Sequence, residues 1–291
     1  MVYEGRGVDA LRHALDRVAF ARHVAPAVGI KEFDGWQLDL LRSRSKRILI
    51  NACRQSGKTT CVAVMALHRA LHYPGSFVLL FSPSLDQSLE FFRVVSTIYR
   101  YLGEDTLADH ESLRKTGLEL SNGSRIEARP GSEKTARGRS ANLLVIDEAA
   151  RVDDELYRAL RPMLLATRGD LIMLSTPWGK TGVFYREWTR EDSTWERHFV
   201  PATKVKRFTP EQLAEERKQG ERYFKRELLC QFAEAEGQVF SEELINRAIR
   251  MDIEPLFPEY DILRQEDLDE EQDREEGDSD LISSLWEAFN D

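Results

Sequence analysis

Asn51-Ala52-Cys53-Arg54-Gln55-Ser56-Gly57-Lys58-Thr59-Thr60 follows the apolar run Ile48-Leu49-Ile50 and precedes Cys61-Val62-Ala63-Val64-Met65-Ala66-Leu67. The order reads as strand, tight loop, helix. It matches the phosphate-loop spacing G-x-x-x-x-G-K-[ST] with Ala52 in the place of the first glycine. Such a loop turns the backbone N–H groups of Arg54, Gln55, Ser56, Gly57, Lys58, Thr59 and Thr60 around an anion, and the helix that follows points its positive end at it. Gly57 has no Cβ to obstruct that approach. Lys58 then neutralises β- and γ-phosphate oxygens of ATP, and the Thr59 hydroxyl is a ligand for Mg²⁺.

A loop of this kind needs a second apolar strand that ends in a carboxylate. Leu143-Leu144-Val145-Ile146-Asp147-Glu148-Ala149-Ala150 supplies one. Asp147 is the expected Mg²⁺ partner. Glu148 points away from Asp147 if strand alternation continues, and is the expected group that polarises the water attacking the γ-phosphate. Together the two segments predict a nucleotide hydrolase.

Composition bounds the rest. At 291 residues, 42% hydrophobic and 31% charged, the chain has room for one sizeable core and a small subdomain. No apolar run approaches the roughly 20 residues that cross a bilayer, and Met1 to Arg12 lacks a signal-peptide core, so a cytoplasmic protein without a membrane partner is expected. The three cysteines, Cys53, Cys61 and Cys230, show no metal-ligand spacing and read as small hydrophobes. The net charge is −9, yet 14 acids and two bases between Glu259 and Asp291 put −12 on the tail and leave +3 on the body. A mildly basic body permits a nucleic-acid face.

Ahead of the loop, Val8, Leu11, Leu15 and Val18 recur at helical spacing and predict one amphipathic helix over residues 8–24 laid on the core. Phe33 to Leu41 reads as a capped helix. Its Gln37 can present both an amide N–H and a C=O to the N6/N7 edge of adenine. Ser76 to Ser82 predicts a buried strand and Leu85 to Leu102 a helix with Leu89, Phe92, Val95 and Ile98 inward. Ser121-Asn122-Gly123-Ser124 predicts a hairpin turn, and Glu133 to Ser140 a basic loop. A helix from about Asp153 and the strand Leu171 to Leu174 follow, ending in Ser175-Thr176-Pro177-Trp178-Gly179-Lys180. Ser175 and Thr176 can sense the γ-phosphate through small hydroxyl contacts. Residues 202–234 are studded with Lys204, Lys206, Arg207, Arg217, Lys218, Arg222, Lys225 and Arg226, and read as a small helical lid facing either DNA or solvent.

Alternating strands and helices behind a phosphate loop predict an α/β fold, a RecA-like P-loop NTPase with a mostly parallel sheet flanked by helices. The expected organisation is an ATPase core over 1–200, a lid over 201–250 and an acidic tail over 251–291. That tail ends in a short amphipathic helix carrying Leu281, Ile282, Leu285, Trp286 and Phe289.

In this ordered set of residues the chain resembles the ATPase domain of the large terminase subunit, the DNA-packaging motor of tailed phages. The likeness rests on Gln37, CRQSGKTT, Arg137-Gly138 upstream of Asp147, LLVIDEAA, STPWGK, and LLCQF with GQVF ending at Phe240. The resemblance implies a motor that hydrolyses ATP with Mg²⁺ and drives double-stranded DNA into a procapsid. The implied partners are the portal and the small terminase subunit, and the implied active form is a homo-oligomeric ring in the host cytoplasm. It also implies that Arg54, inside the loop, and Arg137, reaching a neighbouring subunit, stabilise transition-state charge. A guanidinium suits that task because it chelates phosphate oxygens bidentately.

The family continues into a ribonuclease-H-like nuclease. Only 51 residues follow Phe240 here, fewer than the roughly 100–150 of a typical domain, so cutting is expected from a separate nuclease. Two other readings remain in play. A helicase of the two-domain type shares Gln37, the phosphate loop and the Asp-Glu strand but needs a second RecA-like domain. A nucleotide-gated DNA-binding module that hardly hydrolyses predicts loss of Glu148 or Lys58, both of which are present, and a small-substrate kinase needs an acceptor pocket that nothing in the sequence suggests.

Overall fold

A computed structural model describes residues 8–103, 113–114, 116–130 and 140–233. The chain divides into two units, Met1–Gly237 and Gln238–Asp291, and every described residue lies in the first. Arg137, the rest of the basic loop up to residue 139, GQVF and the acidic tail lie outside the described residues.

Eight strands form one sheet in the order β3-β4-β5-β2-β6-β7-β1-β8, where β1 is Arg47–Ala52, β2 Phe77–Ser82, β3 Leu113–Arg114, β4 Gly117–Glu119, β5 Arg125–Pro130, β6 Leu143–Asp147, β7 Asp170–Ser175 and β8 Glu196–Val200. Every pairing is parallel except β3 with β4 and β4 with β5. The mostly parallel sheet expected from the sequence is present, with the Asn122-Gly123 turn between β4 and β5 and Gly123 at φ 78°.

Successive residues of the central strands feed two separate cores. Ile48, Ile50, Val78, Leu80, Val145, Ile172 and Leu174 join one cluster; Leu49, Leu79, Leu144, Ile146, Leu171 and Met173 join the other. That is strand alternation with both faces covered, which is why these segments are unbroken apolar runs rather than apolar-polar repeats. Leu49 is fully buried, and truncating it to alanine would cost about 2–5 kcal/mol.

The first core is roofed by α2 (Arg17–Val24), α3 (Gly35–Arg42), α4 (Lys58–His72) and α5 (Leu85–Leu102). The second is roofed by α6 (Asp154–Leu160) and α7 (Gly182–Thr189). The α5 bounds match the sequence expectation, but its inner face is centred on Phe91, Phe92, Val95, Ile98 and Tyr99, with Leu89 only half-buried.

One expectation is corrected. Residues 8–24 form two helices, α1 (Val8–Leu15) and α2, because the Asp16 carboxylate accepts from the Val18 N–H at 2.8 Å and starts a new helix. Val8, Leu11 and Leu15 are exposed, while Val18, Phe20, Ala21 and Val24 enter the core. Beyond β8 the chain forms α8 (Pro210–Arg217) and α9 (Glu221–Tyr223), which runs into a π-helical turn over Phe224–Leu228. No helix among the described residues is long and apolar enough to cross a membrane.

Candidate active site

The parallel register decides which side chains meet. Asn51 of β1 sits opposite Ser175 of β7, and Asp147 of β6 opposite Leu174. Because β7 lies between β1 and β6, the end of β7 is wedged between the phosphate loop and the carboxylate pair. This is the edge where open parallel sheets hold their ligands.

The loop after β1 is an anion cradle by its backbone. Gln55 (φ 54°) and Gly57 (φ 89°) are left-handed, a pattern that turns consecutive N–H groups to one side. The first-turn N–H groups of α4 have no intrahelical acceptor. Two loop N–H groups are used to anchor it: Cys53 donates to the Val200 carbonyl at 3.0 Å and Arg54 to the Glu227 carbonyl at 3.1 Å. Ser56 is buried, and its hydroxyl has no hydrogen-bond partner among the described residues.

Lys58 is buried and its Nζ lies 3.6 Å from Glu148 Oε1. The Ser175 hydroxyl donates to the other Glu148 oxygen at 3.3 Å. The base candidate is thus held between the loop lysine and the coupling strand. Strand alternation is not what redirects Glu148. It stands just past β6 at φ 50°, ψ 42°, a left-handed conformation that costs a non-glycine residue about 1–2 kcal/mol and is characteristic of functional sites.

Asp147 is buried at the end of β6, and its carboxylate accepts from the Glu148 N–H at 3.0 Å. Burial, followed by the like charge of Glu148, pushes its pKa up to about 7, with Lys58 pulling the other way. A buried carboxylate this short of counter-charge fits a site for a divalent cation, with the Thr59 hydroxyl on the adjoining helix as the second ligand candidate.

Gln37 lies over the phosphate loop. Its amide nitrogen would be 2.9 Å from a Cβ built on Gly57, so any side chain there would collide with it. Its carbonyl oxygen is already engaged, accepting from the Asp34 N–H at 2.8 Å in the capping box of α3. Both amide ends reading adenine, as the sequence suggested, is therefore not the arrangement present; the N–H₂ end faces the loop.

Arg54 is mostly exposed, and its Nε is 2.9 Å from Oε2 of the fully buried Glu227. Arg226 holds the other oxygen of that carboxylate at 2.9 Å. Arg226 also lies over the Trp178 ring, as does Arg151: each guanidinium is 4.5 Å from the ring centroid. The Ala233 N–H donates to the Trp178 carbonyl at 3.0 Å, and the Lys180 N–H to Ala233 at 3.1 Å. Residues after the carboxylate strand, in the coupling motif and in the 224–233 segment thus form one connected layer.

Arg207 was counted in the sequence only as one basic residue among several. Its guanidinium nitrogens lie 3.8 and 3.9 Å from a Cβ at Gly57, so it stands over the loop beside Gln37. No local pattern marks it: it lies in a turn beyond β8 and the 3₁₀ turn Ala202–Lys204. The cysteines behave as buried thiols: burial pushes Cys61 up to about 12, while Cys53 is lowered by a hydrogen bond with Cys230.

The terminase large subunit N-terminal family model of T4-like-virus type matches residues 49–247. The large terminase subunit of Thermus virus P23-45 is 31% identical over 162 residues, covering 49% of this chain and 33% of that protein. The matched part therefore spans about a third of that relative's length. Among solved structures, the large terminase ATPase domain of Thermus phage P74-26 superposes with a TM-score of 0.60 at 23% identity, over 72% of this chain and 97% of that one. The large terminase of bacteriophage HK97 gives 0.62 at 17% identity over 75% and 55%; at these identities the likeness shows a shared fold. Since the family model covers well over half of its residues, this chain belongs to the N-terminal family of the T4-like-virus type of terminase large subunit.

Proposed function

We propose that this chain hydrolyses ATP and couples the hydrolysis to movement of double-stranded DNA, as the ATPase part of a viral packaging motor. The observation that carries the reading is the meeting of Lys58, Glu148 and Ser175 at one sheet edge. A module that only bound nucleotide would have no reason to keep a strained, doubly held carboxylate there.

In this reading Lys58 and the loop N–H groups beyond Arg54, whose own N–H is held by the Glu227 carbonyl, bind the β- and γ-phosphates. Drawing Lys58 toward the phosphates loosens its 3.6 Å contact with Glu148. Glu148 then orients a water for in-line attack at the γ-phosphorus and takes up its proton as the bond to the β-phosphate oxygen breaks. Asp147 and Thr59 are the residues that would hold Mg²⁺, which supplies charge neutralisation on the phosphate oxygens. Ser175, with Thr176 next to it, senses the change at Glu148 and passes it through Trp178 to the 224–233 segment.

Arg54, once released from Glu227, and Arg207 are the cations of this chain placed to meet developing negative charge. Arg137 is assigned the same task across a subunit boundary in the active homo-oligomer. Residues 201–250 act as a lid and 251–291 as a tether. The portal, the procapsid, the small terminase subunit and a separate nuclease are the partners this reading requires. The test is ATP turnover with and without double-stranded DNA and procapsids. Turnover that rises on adding both supports the motor, and turnover indifferent to DNA contradicts it.

A further inference from the structure

At the opposite edge of the sheet, where the parallel strands begin, lies a cavity of about 240 Å³ lined by Arg17, Arg44, Lys46, Arg69, His68 and Asp170 among others. Lys46 leads into β1, Asp170 opens β7, and His68 and Arg69 sit near the end of α4. Strands of five or six residues rising about 3.3 Å each put it roughly 15–20 Å from the phosphate loop.

Its charge is unbalanced. Among the described residues, four cationic side chains face one carboxylate, Asp170, which pairs with Arg69 at 3.4 Å. The remaining cations donate to backbone carbonyls: Arg17 to Ser43, Arg44 to Leu15 at 3.4 Å, and Lys46 to Arg168 at 3.5 Å. Carbonyl acceptors satisfy hydrogen bonds without cancelling charge. Arg69 Nε is shut off from solvent and donates to nothing among the described residues. His68 is neutral, its pKa pushed down to about 3 chiefly by burial, so it neither adds to the excess nor relieves it. Collecting like charges in a recess is costly unless an anion shares it.

We propose that this cavity is an oxyanion site, separate from the phosphate loop, that takes a phosphate group carrying two negative charges. Guanidinium forks match phosphate oxygens in pairs, and Lys46 supplies a point charge. With a water's share of liquid volume near 30 Å³, the space of about 240 Å³ holds one phosphate with several waters. It is too small for a duplex, though a terminal phosphate can enter. The ligand is therefore free inorganic phosphate or the 5′-phosphate of a DNA end.

The test is calorimetric titration of inorganic phosphate into the full chain carrying Lys58→Ala, with chloride at matched ionic strength as the control. Removing Lys58 disables the phosphate loop, so remaining binding belongs elsewhere. One phosphate should still bind, and adding Arg44→Gln with Lys46→Gln should weaken it about tenfold or more, since a hydrogen bond to a charged group is worth roughly 1.5–3 kcal/mol. Both side chains are exposed, and an unchanged thermal midpoint confirms the fold. A parallel arm compares short duplexes with 5′-phosphate and 5′-hydroxyl ends. A preference for the phosphorylated end that the double variant loses identifies DNA ends as the source; no preference identifies free phosphate. No phosphate binding by Lys58→Ala, or binding that the double variant leaves unchanged, overturns the proposal.

Discussion

Glu227 grips Arg54 twice: its carbonyl accepts the Arg54 backbone N–H at 3.1 Å, and its carboxylate lies 2.9 Å from the Arg54 Nε. The two residues are far apart in sequence, so the phosphate loop is held by a segment that the chain reaches only after completing the sheet. The segment is wound as a π-helical turn over Phe224–Leu228, a geometry that recurs at functional sites. Loop and segment should respond to nucleotide as one unit.

Replacing Glu227 by Gln keeps the shape but removes the charge shared by Arg54 and Arg226. The expected loss is about 2–3 kcal/mol, which for a domain of this size lowers the thermal midpoint by roughly 4–12 °C. Because the loop's own anchor is weakened, kcat/KM for ATP should fall as well. Thermal denaturation and steady-state hydrolysis of the variant check both.

Trp178 is the bridge between Arg151 and Arg226. Each cation–π contact is worth about 0.5–1 kcal/mol at a partly exposed site. Trp178→Ala should therefore cost little stability while cutting the DNA-stimulated part of ATP hydrolysis more than the basal part. Trp178→Phe, which keeps a ring face, should restore most of the stimulation. Equal loss of basal and stimulated rates would place Trp178 in the chemistry rather than in its transmission.

Acid should loosen the helices packed beside α4. His68 and His72 have folded pKa values pushed down to about 3 and about 4, in both cases mainly by burial. The unfolded chain binds their protons below about pH 6.5. The contribution of these two histidines is thus constant above that pH and is lost as pH drops through the window from about 6.5 to about 4 for His72 and about 3 for His68. At pH 5 His68 alone accounts for about 2 kcal/mol. His68→Gln keeps a donor for the His13 carbonyl, which lies 3.0 Å from His68 Nε2, and should flatten this pH dependence. Denaturant titrations at pH 5 and pH 7.5 read the difference.

Asp147 works in the opposite sense. Its folded pKa is raised to about 7, above the ordinary 3.8, so the folded protein keeps a proton that the unfolded chain has lost. Stability without metal falls as pH rises between those values. Asp147→Asn should raise the metal-free thermal midpoint at pH 8 and abolish ATP turnover. A midpoint that falls instead would show that the carboxylate is not short of counter-charge.

The parts legible in the sequence were those written in consecutive residues. The strand before the phosphate loop, the LLVIDEAA strand and the strand ending in Ser175 are unbroken apolar runs with their candidate functional groups at the end, and parallel packing brings those ends together. What escaped depended on local geometry or on distant residues. Asp16 caps a new helix inside what scans as one amphipathic pattern. Glu148 turns through a left-handed conformation that no strand pattern reveals. Arg207 and Glu227 reach the loop through tertiary folding, and among the six glutamates and eight Lys/Arg of residues 202–234 no local pattern singles them out.

The most direct measurement is Mg²⁺-dependent ATP hydrolysis by Glu148→Gln alongside nucleotide binding by the same protein. Nucleotide should still bind, because the loop and Lys58 are intact, while turnover falls by at least about 10²-fold, the scale on which a positioned base contributes. Turnover within tenfold of the unaltered protein would contradict the assignment of Glu148, and with it the reading of this sheet edge as a hydrolytic site.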